Sequence, residues 1–205
     1  MPPLIVFPSP DLLDRLAALG TPRLTVAEYH AMHDAGLLME GDRVELLDGY
    51  LVEKPRRNPL HDGALQRLTK RLIRLGLVGW EVRIQSAVSF QESEPKPDAA
   101  LVRGDDTTFQ ARHPGPADTG IVIEVSDSSL LFDRRVKGRM YAKVGIPTYW
   151  INNLVDGHIE VSTAPDPAAS PPSYGTQTDY LPGHDVPIVL DGVAVASIPV
   201  ADLSP

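Results

Sequence analysis

Ile121-Val122-Ile123-Glu124-Val125-Ser126 is the stretch on which the reading of this chain turns. From Ile121 to Val125 it is apolar except for Glu124, as expected of a central strand buried on both faces of a sheet. Two explanations of the carboxylate compete. It could be a strand-end group at the solvent boundary, or it could belong to a site. A charge set in an apolar run is costly unless it is paired or metal-bound, and that cost favours a site.

Downstream, Ser126 to Ser129 offers helix N-cap residues, and Phe132, Val136, Met140 and Val144 space an apolar face before Gly145 and Pro147 stop it. The pattern predicts a helix through Val144. Strands are expected over Thr148–Asn152 and His158–Thr163, a flexible Pro/Ser/Ala-rich loop over 164–176, and short strands within Val186–Ile198.

Upstream, Pro95 and Pro97 delay the preceding strand, because proline cannot donate to a ladder, so Asp98 opens a strand running to Val102. Residues 103–118, rich in Gly, Asp, Pro and Thr, read as a surface loop. Trp80 to Phe90 alternates well enough for one or two strands. Before it, Leu65, Leu68, Leu72 and Leu75 line one face of a helix from about His61 to Leu77, opposite Arg67, Lys70, Arg71 and Arg74. That basic face, with Lys54, Arg56 and Arg57, could meet phosphates, although charges opposite a leucine face are usually just its wet side.

Asp48-Gly49 between Arg43–Leu47 and Tyr50–Glu53 is a strong short-range hairpin signal. Thr25, with Glu28 three residues on, predicts a capping box for a helix through about Asp34, and leucines from Asp11 to Leu19 predict a short helix ending at Gly20. The apolar run Met1–Phe7 is short, proline-interrupted and without a basic lead. It reads as neither signal peptide nor membrane span.

The composition of the 205 residues, 42% hydrophobic and 22% charged, is that of an ordinary globular chain, and the succession of helices and strands reads as a single α/β core. Residues 1–23 read as a helical lead-in, 24–163 as the core, and 164–205 as a loop with strands packed on it. A formal charge of −8 argues against coating nucleic acid by bulk electrostatics. The absence of cysteine excludes disulfides, thiolate metal sites and cysteine nucleophiles, so any metal must sit on oxygen or imidazole. A cytoplasmic location is the default expectation.

Glu45 inside the hairpin, the Pro97-Asp98 pair, Glu124 and Lys137 on the following helix form the candidate constellation. Hard divalent cations such as Mg²⁺ or Mn²⁺ need several oxygen ligands, which carboxylates on neighbouring strands supply. A lysine beside them could counter the charge that builds up in phosphoryl transfer.

Val44-Glu45-Leu46-Leu47-Asp48-Gly49, Pro97-Asp98, Ile121 to Ser126, and Asp133-Arg134-Arg135-Val136-Lys137 through Tyr141 to Ile151 resemble the Uma-two family of restriction-endonuclease-like proteins, in the PD-(D/E)XK nuclease superfamily. The likeness runs from about Leu24 to Thr163. It implies a restriction-endonuclease-like core, a mixed central sheet flanked by helices, and a metal-dependent endonuclease acting on DNA. Asp98, Glu124 and Glu45 would be the metal-binding carboxylates.

That superfamily usually carries its lysine two residues after the acidic residue, where this chain has Ser126. The resemblance points instead to Lys137 as a migrated replacement. Asp133 and Tyr141, on the same helix face, could orient it, and His61 could support a ligand from behind. The alternative function is a catalytically silent module of the same fold that binds or assembles, as a homodimer. Glycoside hydrolysis by paired carboxylates ranks far behind, since it needs no lysine and the chain is poor in aromatics.

Overall fold

The computed structural model describes residues 5–6, 11–39 and 41–204. Of the Met1–Phe7 run only β1 (Ile5–Val6) is described; the rest, with Pro8 and Pro10, lies outside the described residues. Helix α1 (Leu12–Ala18) follows, and α2 (Val26–Asp34) begins on the expected capping box. The Thr25 hydroxyl accepts from the Glu28 N–H at 3.2 Å, and the Thr25 N–H donates to Glu28 at 2.8 Å.

Strands β2 (Val44–Leu47) and β3 (Tyr50–Glu53) form the expected hairpin, with β1 parallel to β3 on its outer side. Asp48 and Gly49 have φ of 46° and 80°, the pair of left-handed residues that lets a two-residue turn follow the strand twist. Glycine is required at 49 for a second reason: a Cβ there would stand 2.6 Å from that of Arg23.

A six-stranded mixed sheet carries the rest. Helix α3 (Pro59–Arg74) leads into β4 (Trp80–Ile84), β5 (Ala99–Arg103) and β6 (Thr119–Ser126). A helical segment follows as α4 (Leu130–Phe132), a widened turn (Asp133–Lys137) and α5 (Gly138–Lys143). Then come β7 (Thr148–Asn153), β8 (His158–Asp166) and β9 (Ser173–Tyr180), and a separate hairpin of β10 (Asp185–Leu190) and β11 (Val193–Pro199). The sheet order is β4-β5-β6-β7-β8-β9, antiparallel throughout except for the parallel pair β6–β7.

Strand β6 is buried along all eight residues, as its apolar run predicts. Its two faces serve different cores. Ile121, Ile123 and Val125 pack with Leu65, Leu68 and Leu72 of α3 and with the β10–β11 hairpin, whereas Val122 packs with Phe132, Val136, Met140 and Tyr141. Since side chains alternate along a strand, Glu124 and Ser126 point toward the helical segment that carries Lys137.

Several expectations are corrected. Helix α3 starts earlier and ends earlier than 61–77, because Asn58 caps it by accepting from the His61 N–H and Pro59 suits the first turn. Its polar side is not uniformly wet: Arg71 pairs with Asp202 at 2.9 Å, and two Arg67 nitrogens are buried with no hydrogen-bond partner among the described residues. Strand β4 stops at Ile84, and the chain through Phe90 is irregular. Asp98 stands one residue before β5.

The stretch 164–176 is not all loop. Strand β8 continues to Asp166 and β9 begins at Ser173, pairing in register with it as an edge strand. The polar residues of β9 face solvent, so no apolar alternation marked it. Among the described residues no helix is long and apolar enough to cross a membrane.

Gly120 lets β6 pass under Trp80. A Cβ there would lie 2.6 Å from the indole ring and 2.8 Å from Leu190. Gly120→Ala is expected to destabilise the fold by about 1–3 kcal/mol, as overpacking does in a filled core, read from the denaturant midpoint.

Candidate metal-dependent nuclease site

The sheet register places the first two carboxylates. Ala99 pairs with Ile123 across β5 and β6, so the next position outward sets Asp98 opposite Glu124 on one face. Glu45, in the middle of β2, reaches the same cleft from the neighbouring hairpin. The cleft has a volume of about 280 Å³, and its lining includes Glu45, Asp98, Glu124, Asp133 and Lys137. All five are at most 6% exposed.

Lys137 arrives through a distortion of its helix. The Gly138 N–H donates to the carbonyl of Asp133, five residues back, so one turn holds an extra residue. Such widened turns are rare and frequent at functional sites. Lys137 Nζ donates to Glu124 Oε1 at 2.9 Å and stands 3.4 Å from Glu45 Oε1 and 3.9 Å from Asp133 Oδ1. The lysine expected to have migrated from the position of Ser126 does reach the carboxylates.

The supporting residues differ partly from expectation. Ser126 donates its hydroxyl to Asp133 Oδ2 at 2.7 Å, so the residue at the usual lysine position holds a carboxylate in place. The Tyr141 hydroxyl donates at 3.0 Å to Glu124 Oε1, the same oxygen that Lys137 Nζ engages. His61 lies in the first turn of α3, with Nε2 3.2 Å from Asp98 Oδ2. The same oxygen accepts from the Val125 N–H at 2.9 Å.

Sequence reasoning did not find Gln85, whose amide donates to Asp98 Oδ1 at 3.2 Å and accepts from Arg57 at 2.7 Å. Its role depends on a turn that no local pattern marks. Lys54, read as part of a basic stretch, stands 3.8 Å from Glu45 and lines the cleft with Arg43, Arg56, Arg57 and Lys96.

These contacts divide the acids. Burial pushes every carboxyl upward, because a charge loses its hydration there. At Asp98 the His61 hydrogen bond and charge, Lys54 and the Val125 N–H outweigh burial and bring it down to about 2. At Glu45, Lys137, Lys54 and the Lys96 N–H likewise overcome burial and lower it. Glu124 goes the other way, to about 7: burial dominates, Lys137 offsets part, and Asp133 and Asp98 add repulsion. Asp133 is raised by burial as well. For Lys137 the surrounding carboxylates overcome burial and hold it well above an ordinary lysine, so it stays an ammonium.

The donor chemistry suits a hard divalent cation. Among the described residues both side-chain donors to Glu124 land on Oε1. A cation would offset the repulsion that Asp133 and Asp98 add to the effect of burial at Glu124. Among the described residues no three acidic or imidazole groups already close around one ion position.

The model of the Uma2 family, described as "Putative restriction endonuclease", matches residues 26–198. This chain belongs to the Uma2 family. A crystal structure from Anabaena variabilis ATCC 29413, described as a "putative nuclease belonging to DUF820", superposes with a TM-score of 0.61 at 11% identity, covering 83% of this chain and 94% of that one. At that identity the likeness shows the fold, which is of the nuclease type. No curated protein matches this chain. In this Uma2 chain the nuclease-type core thus carries its buried lysine on the helix beside the sheet.

Two consequences for stability follow. The Glu124 carboxyl is higher in the folded state than its ordinary 4.5, so its contribution is fully present below about 4.5 and is lost as pH rises through about 7. Asp98 has the opposite sign, contributing above its ordinary 3.8 and losing that as pH falls through about 2. Glu124→Gln should therefore flatten the decline in urea midpoint between pH 5 and 8, each pH within the window of about 4.5 to 7 or just beyond it; an unchanged slope would contradict the assignment. Lys137→Met, which strands buried carboxylates, should cost about 3–5 kcal/mol at neutral pH by the same measurement.

Proposed function

We propose that this protein is a divalent-metal-dependent endonuclease that hydrolyses DNA phosphodiester bonds. The observation that carries the reading is the meeting of Asp98 and Glu124 across β5–β6 with the buried ammonium of Lys137. Asp98 and Glu124 would hold Mg²⁺ or Mn²⁺, with Glu45 as a further carboxylate. When bound, the ion supplies positive charge that polarises a phosphate oxygen and eases deprotonation of a water.

The chain's own residues do the rest. Asp98, kept ionised by His61 and the Val125 N–H, presents a fixed negative charge at the floor of the cleft. Tyr141 and Lys137 hold Glu124 by Oε1, which would leave Oε2 to meet the ion. Lys137 places a permanent positive charge beside the position where negative charge develops on the phosphate, worth far more in a water-poor site than at a surface. Arg56 and Arg57 at the mouth are suited to neighbouring phosphates, giving a local attraction that the acidic chain lacks overall.

Incubation of supercoiled plasmid, linear duplex and single-stranded oligonucleotides with Mg²⁺ or Mn²⁺ tests this. Metal-dependent cleavage should appear and fall about 100-fold or more in Asp98→Asn and Glu124→Gln. Cleavage that survives chelation, or that is undiminished in Glu124→Gln, contradicts the proposal. Metal binding without any cleavage would favour a binding module of the same fold.

A further inference from the structure

Gln85, just after β4, combines an unfavourable backbone with a side-chain amide engaged at both its oxygen and its nitrogen. Its φ is 51°, in the left-handed region that glycine and asparagine enter readily and a long side chain enters at a cost. Strain of this kind persists where surrounding contacts over-determine it, and it gathers at functional sites.

Three contacts hold the residue. Its N–H donates to the Asp98 carbonyl at 3.1 Å, its Nε2 donates to Asp98 Oδ1 at 3.2 Å, and its Oε1 accepts from Arg57 at 2.7 Å. The chemistry of the neighbours fixes which way the amide points. A guanidinium only donates and an ionised carboxylate only accepts, so the group between them must offer an acceptor to one side and a donor to the other. Glutamate lacks the donor, lysine lacks the acceptor, and asparagine is one methylene short.

The two partners flank one amide and differ in exposure. Asp98 is buried at its floor, whereas the Arg57 side chain is 51% exposed at its mouth, with Asp62 4.0 Å away. His61 and the Val125 N–H engage Asp98 Oδ2, and Gln85 engages Oδ1. The carboxylate plane is thereby fixed from both sides.

We propose that Gln85 is a positioning residue of the cleft. Its amide sets the angle at which Asp98 meets a divalent cation and, through the same group, holds the Arg57 guanidinium over the mouth to grip a phosphate of the bound nucleic-acid strand. The inference rests on the nuclease reading above. It explains why the chain keeps glutamine where the backbone prefers glycine or asparagine: neither of those spans Asp98 and Arg57.

Gln85→Gly and Gln85→Asn in the full chain test it, with Mn²⁺ affinity from calorimetry well below the melting temperature as the deciding readout. Both variants should melt at or above the wild-type temperature, since the backbone strain is relieved. Both should bind Mn²⁺ about 10-fold or more weakly, the usual effect of removing a group that orients a metal ligand. Arg57→Ala should raise the KM for DNA and leave Mn²⁺ affinity at the wild-type value. Wild-type Mn²⁺ affinity in both Gln85 variants overturns this inference alone. A wild-type protein that binds no Mn²⁺ overturns the metal-dependent reading, and this inference with it.

Discussion

Lys137 carries its charge into the protein interior, and Glu45, Glu124 and Asp133 meet it there. None of these four groups could be buried alone, because each would give up its hydration without return. Together they form a cluster in which the strands, the hairpin and the helical segment must all be in place at once. The cleft is therefore a property of the whole fold: β2 brings Glu45, β6 brings Glu124, and the widened turn brings both Asp133 and Lys137.

The charges in that cluster do not cancel. Four buried carboxylates, counting Asp98, face one buried ammonium, with Lys54 at the edge. Burial first, and the repulsion of Asp133 and Asp98 after it, push Glu124 up to about 7 against the pull of Lys137. Asp98 escapes because His61, Gln85 and a backbone N–H all donate to it. One acid is thus held ready as an anion, while its neighbour gains most from an added cation. That division of labour links the packing of the sheet to the chemistry proposed for it.

Local chemistry was legible in the sequence. The Thr25–Glu28 capping box, the Asp48-Gly49 hairpin and the buried β6 run each depend on residues close in the chain, and each stands where its pattern put it. Glu124 was conspicuous for the cost of burying it. What could not be read depended on distant contacts. Strand β9 is polar on its exposed residues and is defined by pairing with β8. Gln85 matters because a turn aims it at Asp98 and Arg57. The widened turn left a faint trace: Phe132, Val136, Met140 and Val144 recur every fourth residue, which drifts around a helix of about 3.6 residues per turn unless a turn is underwound. That drift is absorbed at Asp133–Lys137, and it is what brings Lys137 to Glu124.

The central claim is that Asp98 and Glu124 share one divalent cation beside Lys137. A crystal soaked in Mn²⁺ and measured at the manganese absorption edge tests it most directly. The account predicts an anomalous peak in the cleft next to Asp98 and Glu124, with the Lys137 ammonium still on Glu124 Oε1. A peak at other residues, or none in the cleft of crystals whose protein cuts DNA in the presence of Mn²⁺, would contradict it.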